Sequence, residues 1–349
     1  MVDDATPKAR PVKSPAKRSG SRKWAVVGSL ALAIYVASRL GWTGWAWSHG
    51  MAQVFRRDES LLAWVPIDTT SVAIVDPHQI ELGALGSEQT ALRTGLVRMR
   101  EDVKKATGVD LWFDVDKLVL SPAVVVARGR FDAEALGERL AELRYQRESH
   151  EGRLIWVRTG EDALAVVGSE ILLYGDVTGV KAAIDGKVRD RSLDNDDKVK
   201  ERLRKVGWDH AVLATVTLAD DKPSLRSMIT GSTGPRSLTV GVRSQAGLDV
   251  DGRIETTSPS TADELAKLLD ERRATADAAL GGAVGGDLAK LLAEIVKNAQ
   301  VRADGPNSAV VVHVHASQEA VDGALRAAAK SPELAQAYKT LRLAQLLLP

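Results

Sequence analysis

Cysteine is absent from this chain of 349 residues, and aromatic residues make up only 4% of it. Without cysteine the protein has no disulfide bond, no thiolate metal ligand and no cysteine nucleophile. It also lacks the residue to which a bacterial lipoprotein anchor is attached. Hydrophobic residues account for 44% of the chain and charged residues for 27%. This balance is typical of a globular protein that is stabilised by its hydrophobic core.

Catalytic sequence motifs are missing as well. The chain contains no GxSxG elbow, no P-loop, no HExxH and no GxGxxG. We therefore predict a non-enzymatic protein and assign no catalytic, cofactor-binding or metal-ligating residue. One alternative is a periplasmic hydrolase with a site assembled from distant residues, for which the candidates are Ser232, His313 and Asp220.

The first 23 residues are strongly basic, although the formal net charge of the whole chain is only +1. Seven lysines and arginines in residues 1–23 face two aspartates, and almost no apolar side chain interrupts them. Such a composition predicts a disordered arm. Because no aromatic residue is interleaved for base stacking, we do not predict a nucleic-acid partner.

A long apolar segment follows the basic arm. WAVVGSLALAIYVAS, residues 24–38, contains no charged side chain, and counting on to Trp47 gives 24 residues. A helix of this length, at 1.5 Å per residue, crosses a hydrocarbon core of about 30 Å. Residues 24–47 are therefore predicted to form one transmembrane helix. Its predicted membrane-interface anchors are Arg39, Trp42, Trp45 and Trp47.

The basic residues ahead of this span predict its orientation. Lysines and arginines precede the span, so the positive-inside rule places the N-terminus in the cytoplasm. The predicted location is the bacterial inner membrane, with the folded part in the periplasm. The alternative is a signal peptide that is cleaved after the small residues Val36-Ala37-Ser38, which would also export the folded part.

Small residues recur at every fourth position of the predicted span. Such a stripe lets two helix backbones approach closely, so it predicts a helix–helix interface and a homo-oligomer. The small-residue stripe consists of Ala25, Ser29, Ala33, Ala37 and Gly41. Because small residues are abundant in this segment, a stripe that arises from composition alone is the alternative.

The exported part divides at a charged segment without apolar periodicity, RDRSLDNDDK, residues 189–198. We predict a stalk over 48–60, a first domain over 61–188, a linker over 189–198 and a second domain over 199–349. In both halves, short β runs arrive as hairpins or meanders between helical patterns. This order predicts tandem α+β domains, with antiparallel-rich sheets and flanking helices, after one N-terminal transmembrane helix.

One segment is similar in sequence to a second segment near the other end of the chain. AVVVARGRFDAEAL, residues 123–136, and AVVVHVHASQEAV, residues 309–321, both read as a strand that leads into a helix. Asp132 and Ser317 take the N-cap position. The repeat predicts a duplicated module, and the alternative is a likeness of composition between valine-rich strands and alanine-rich helices.

The sequence contains two clusters of potential metal ligands. His313 and His315 are two residues apart, so on a strand they point to the same side; we favour a solvated sheet face over a shared metal ion. Asp110, Asp114 and Asp116 lack the glycine and the later glutamate of an EF-hand loop, so we favour turn and cap roles.

The basic arm, the single span and three later segments together resemble known sequences. WVPIDTTSVAIVD, GVDLWFDVDKLVL and ILLYGDVTGVKAAID resemble bacterial exported, N-terminally membrane-anchored proteins of uncharacterised function, which carry an LPxDT-like turn before their first strand. The resemblance implies an envelope protein. We therefore expect a scaffold or accessory subunit that binds another envelope component. A small-molecule or lipid-binding sensor is the remaining alternative, and a sizeable apolar cavity between the domains would be its sign.

Overall fold

The computed structural model describes residues 59–82, 91–158, 162–218, 235–245, 247–283 and 287–329. All of them belong to one compact unit, which extends from Met51 to Pro349. The predicted basic arm (1–23), the predicted span (24–47) and most of the predicted stalk (48–60) lie outside the described residues. Within the described part, no helix is long and apolar enough to cross a membrane.

In the described part of the chain, one antiparallel sheet of twelve strands dominates the fold. The strands are β1 (Ser71–Val75), β2 (Val115–Leu120), β3 (Val125–Gly129), β4 (Gln146–His150), β5 (Arg153–Val157), β6 (Asp162–Val167), β7 (Ile171–Asp176), β8 (Val212–Thr217), β9 (Ser237–Arg243), β10 (Gly247–Glu255), β11 (Gln300–Asp304) and β12 (Ala309–Ser317). Their order across the sheet is β11, β12, β10, β9, β8, β1, β2, β3, β7, β6, β5, β4. Each of these pairings is antiparallel, so the predicted α+β class is confirmed.

Helices and short 3₁₀ turns connect the strands. The helices are α1 (Pro77–Leu82), α2 (Ala91–Thr107), α3 (Ala133–Glu142), α4 (Val177–Val188), α5 (Asp197–Val206), α6 (Pro259–Ala283), α7 (Asp287–Asn298) and α8 (Gln318–Ala329). The 3₁₀ turns are Glu59–Trp64, Leu193–Asn195 and Gly305–Asn307.

Strand β1 joins the two halves of the chain. It pairs with β2 on one side and with β8 on the other, so strands from both predicted domains form a single sheet. The predicted boundary at 189–198 therefore divides the sequence without dividing the sheet. Instead of a free linker, this segment is part of the core, since Leu193 is buried and Ser192 forms a β-bridge with Pro66.

The first face of the sheet, to which Val72 and Ile74 point, carries the largest core. These side chains are buried with Leu61 of the first 3₁₀ turn, Ile184 of α4 and Leu203 of α5. Complete burial of such a side chain contributes roughly 1.5–3 kcal/mol. The cluster therefore ties both halves of the chain to β1.

The second face of the sheet, to which Ala73 points, is covered by separate groups of helices. Over β5, β6 and β7, α3 packs Leu140 against Leu164. Over β10 and β12, α6 packs Leu265 against Val310. Between these two groups lie β1, β2 and β8. The cavity described in the next section extends from β1 and β2 across β3 to β6 and β7.

The two similar segments both form a strand followed by a helix, β3–α3 and β12–α8. Asp132 caps α3, as predicted, by accepting hydrogen bonds from two backbone N–H groups. Ser317 accepts a hydrogen bond from the N–H of Ala320 at the start of α8, over 3.3 Å. The likeness is local, because β3 lies between β2 and β7 whereas β12 lies next to the edge strand β11.

Candidate functional site

An apolar cavity of about 240 Å³ lies between the second face of the sheet and the helices α1 and α2. Its floor comes from β1, β2, β3, β6 and β7, and its roof from α1, α2 and the connection between α2 and β2. The floor side chains include Leu118, Leu120, Val125, Leu164 and Leu172. The roof side chains include Ile80, Val103, Leu111 and Trp112.

The polar side chains at the wall of this cavity are engaged with protein partners. Thr107 donates a hydrogen bond from Oγ1 to the carbonyl oxygen of Val103 over 2.7 Å. Tyr174 donates its hydroxyl to Oδ2 of Asp162 over 3.1 Å. The wall therefore presents an apolar surface to whatever enters.

The floor is fixed at β6 and β7 by the carboxylate of Asp162. Its Oδ2 also accepts the hydroxyl of Tyr145 over 2.5 Å, and its Oδ1 accepts Nε of Arg158 over 2.8 Å. Burial, followed by the hydrogen bond to Asp162, raises the pKa of Tyr145 far above its usual value. The hydroxyl therefore stays protonated and remains a donor.

The roof is fixed by the carboxylate of Asp110, in the connection that leads from α2 to β2. Arg100 contacts both of its oxygens, over 2.7 and 2.8 Å, and Lys104 contacts Oδ2 over 3.0 Å. Burial alone would raise the pKa of Asp110, but the hydrogen bonds from Arg100 and Lys104 outweigh it and lower the pKa to about 2. The N–H of Asp110 donates to Asp114 over 2.7 Å, so these two aspartates take part in a turn as predicted, whereas Asp116 lies within β2.

The two neighbouring histidines of β12 point to one side of the sheet, as predicted. Each of them faces its own aspartate on β10, instead of converging on one point. Nδ1 of His313 lies 2.9 Å from Oδ1 of Asp251, and Nδ1 of His315 lies 2.7 Å from Oδ1 of Asp249. Among the residues that the structure describes, no group of three or more histidines and carboxylates is arranged to hold a metal ion.

Asp251 is the centre of a half-buried polar cluster on the first face of the sheet. Besides His313, it contacts Arg243 of β9 and Nε2 of His210, which lies 3.1 Å away. The ring of His210 lies against Gly241, where a Cβ atom would come within 2.5 Å of it. Burial raises the pKa of Asp251, but the hydrogen bonds from these three side chains lower it to about 2. The cluster links β9, β10, β12 and His210, which lies two residues before β8.

Several residues singled out from the sequence lie outside the described residues. Of the hydrolase candidates, Ser232 and Asp220 lie there, and His313 is engaged with Asp251. The stripe and anchor residues of the predicted span also lie there: Ala25, Ser29, Ala33, Ala37, Arg39, Gly41, Trp42, Trp45 and Trp47.

Comparisons with known proteins give a likeness of fold at a low level. No protein-family model matches the chain, and no curated protein matches it. Among solved structures, crystal form I of TP0453 superposes with a TM-score of 0.43 at 9% identity, covering 76% of this chain and 96% of that one. Crystal form IV of TP0453 gives 0.44 at 9% identity, covering 75% and 94%. Similarity of this degree carries no inference about function.

Proposed function

We propose that this protein is anchored in the cytoplasmic membrane by residues 24–47, with its N-terminus in the cytoplasm, and that its exported domain binds an apolar molecule. The observation that carries the second part is the cavity of about 240 Å³ beneath α1 and α2. The sequence supports the first part through the basic arm and the uncharged segment that follows it.

The size of the cavity favours a bound molecule over a packing defect. Protein interiors contain few voids larger than a water molecule. At about 24 cal/mol per Å³, leaving 240 Å³ empty costs at most about 6 kcal/mol, because the cavity is partly open. That is a large part of the roughly 5–15 kcal/mol by which a domain is stable. An apolar ligand recovers this free energy when it fills the space.

The chemistry of the wall indicates the class of ligand. An engineered apolar cavity of about 150 Å³ binds benzene, so 240 Å³ accommodates a hydrocarbon that is somewhat larger. Thr107 and Tyr174 at the wall have protein partners. A polar ligand would therefore lose its hydration without compensation. The nearest source of apolar molecules for a membrane-anchored domain is the membrane lipid.

A cavity-filling variant tests the proposal. We expect the purified full-length protein to bind a fluorescent fatty acid, and Leu172→Trp to weaken this binding at least tenfold, because the indole occupies the cavity. Leu154→Trp is the matched control, since Leu154 is 44% exposed on β5 and lies outside the cavity. Unchanged binding by Leu172→Trp, with the protein still folded, would exclude the cavity as the binding site.

The role of scaffold or accessory subunit that binds another envelope component is a separate proposal, which rests on the sequence. Purification of the C-terminally tagged full-length protein from membranes in mild detergent distinguishes the two roles. Co-purifying lipid in a one-to-one ratio supports ligand binding, whereas a stoichiometric envelope protein supports the scaffold. If Ala33→Ile and Ala37→Ile leave the size of the detergent-solubilised oligomer unchanged, the predicted helix–helix interface is not used.

A further inference from the structure

A second apolar depression lies on the same face of the sheet as the cavity. It is an open groove of about 330 Å³ over β1, β2, β8 and β9. Its wall consists of strand residues together with Ser121 and Pro122, which follow β2. The side chains that line the groove include Ala73, Leu120, Ala214 and Val240.

Leu120 belongs to the wall of the cavity and to the wall of the groove, so the two spaces meet at this side chain. The pairing register shows what connects them. Leu120 is the direct cross-strand partner of Val125 in the floor of the cavity and of Ala73 in the floor of the groove. The row of partners continues from Val125 to Tyr174 on one side and from Ala73 to Ala214 on the other.

This row crosses the strands from β7 to β9, because Ala214 is in turn the partner of Val240. Strands in a sheet are about 4.8 Å apart, so the row from Tyr174 to Val240 is about 24 Å long. Side chains of the row point to the same face of the sheet. The floor of the cavity and the floor of the groove are therefore one continuous apolar track.

Two alanines determine the shape of the track. Ala73 and Ala214 lie side by side between the larger side chains of Leu120 and Val240. Because an alanine side chain is a single methyl group, the surface is lower at these two positions than on either side. A larger residue at either of them would fill the groove.

We propose that the ligand of this protein is the acyl chain of a membrane lipid, which lies along the track from the cavity across Leu120 into the groove. The inference rests on the proposed function, since it extends the same cavity. The cavity alone is smaller than the roughly 300–1,000 Å³ of pockets that hold drug-sized ligands, and the groove brings the site into that range. One leaflet of a bilayer core is about 15 Å thick, so one acyl chain fits within the length of the track.

The polar atoms beside the groove argue against a polar occupant. Ser121 donates from Oγ to the carbonyl oxygen of Val124 and accepts a hydrogen bond from the N–H of the same residue. Thr215 borders the groove through its backbone, and its hydroxyl shares a hydrogen bond with Thr239 on the opposite face of the sheet over 2.9 Å. The hydroxyl of Ser121 already has a partner, and an extended hydrocarbon chain requires none.

The test compares saturated fatty acids of increasing length, octanoate, laurate and palmitate, by titration calorimetry on the full-length protein. Each methylene that becomes buried raises the affinity by up to about fourfold, so palmitate should bind more than tenfold more tightly than octanoate. Ala214→Trp fills the groove and should weaken palmitate at least tenfold, while octanoate changes less than twofold. Ala73→Leu is a milder second variant, and Leu154→Trp is the control on an exposed site.

The outcomes separate the two proposals. If none of the fatty acids binds, the proposed function itself is wrong. If octanoate binds as tightly as palmitate, or if Ala214→Trp and Ala73→Leu leave palmitate affinity unchanged, the ligand stays within the cavity and the track is not used. Equal weakening of both ligands by these variants, with melting temperatures that match the control, would also contradict the inference.

Discussion

Ala73 of β1 and Ala214 of β8 are direct cross-strand partners at the seam where the two halves of the sheet join. Residues at this seam have two tasks. Val72 and Ile74 on the first face hold the core together, whereas Ala73 and Ala214 on the second face keep the groove open. The strand alternation of β1 separates these tasks, so each face can be changed without the other.

Partial filling of the cavity should stabilise the protein and weaken its ligand binding. Leu172→Phe adds an aromatic ring to the cavity wall, and we expect a gain of about 1 kcal/mol in the free energy of unfolding. A gain of this size raises the melting temperature by roughly 2–4 °C. Saturating fatty acid should raise the melting temperature of the wild type more than that of the variant. Equal shifts for both proteins would contradict the prediction.

The buried ion pair between Lys117 and Asp76 should be sensitive to the loss of one partner. Nζ of Lys117 lies 3.2 Å from Oδ2 of Asp76, and both side chains are at least 95% buried. Lys117→Met leaves a buried carboxylate without its cation, so we expect a loss of about 3–5 kcal/mol in urea unfolding. The control is Lys181→Met, which removes the exposed pair with Glu148 and should cost less than about 1 kcal/mol. Similar losses for the two variants would show that the buried pair has no special role.

Acid should destabilise the protein through the carboxylates of Asp110 and Asp251, whose pKa values are lowered from 3.8 to about 2. The folded state then binds fewer protons than the unfolded state. The contribution to stability is therefore present above about pH 4 and is lost as the pH falls toward 2. For Asp110 this contribution is about 2 kcal/mol.

Urea unfolding from about pH 6 down to about pH 2 measures this loss. Asp110→Asn should be less stable than the wild type near neutrality, and its stability should fall less steeply between pH 4 and 2. Asp270→Asn, at an exposed pair with Arg273, serves as the control. If Asp110→Asn follows the same pH profile as the wild type, Asp110 does not account for the acid sensitivity.

Gly179, in the first turn of α4, should not tolerate even alanine. A Cβ atom at this position would lie 1.9 Å from the carbonyl oxygen of Ala123, so α4 would have to move away from the sheet. We expect Gly179→Ala to cost roughly 1–3 kcal/mol in urea unfolding. Gly305→Ala is the control, because a Cβ atom there has no neighbour within 4 Å. A neutral effect of Gly179→Ala would mean that the contact relaxes freely.

Local features of the structure could be predicted from the sequence, because their signals are short in range. The cap at Asp132 needs only the residues that follow it. The hairpin of β9 and β10 follows from the alternation in SLTVGVR and GLDVDGRIE. The pairing of β1 with β8 has no such signal, since its partners are far apart in the chain and both strands are short apolar runs. The sequence therefore indicated two tandem domains and gave no sign that their strands share one sheet.

The candidate site was beyond the reach of sequence patterns for a related reason. A cavity is space that side chains leave unfilled, and no residue type encodes it. In the sequence, Leu120 and Val125 look like ordinary core residues. Only the strand pairing shows that they lie under α1 and α2. Asp251 likewise has no distinguishing neighbours in sequence, and His210 and His313 reach it only through the tertiary fold.

The central place of β1 has a consequence for the order in which the chain folds. As the first strand of the residues that the structure describes, β1 obtains one neighbour early, when β2 and its hairpin form. Its other edge stays unpaired until β8 has been made, and this long loop closure slows folding. Under our proposal that the domain is exported, β1 would present an open strand edge during translocation, and an unpaired edge invites association with other chains. A chaperone that covers the edge of β1 would act during this interval.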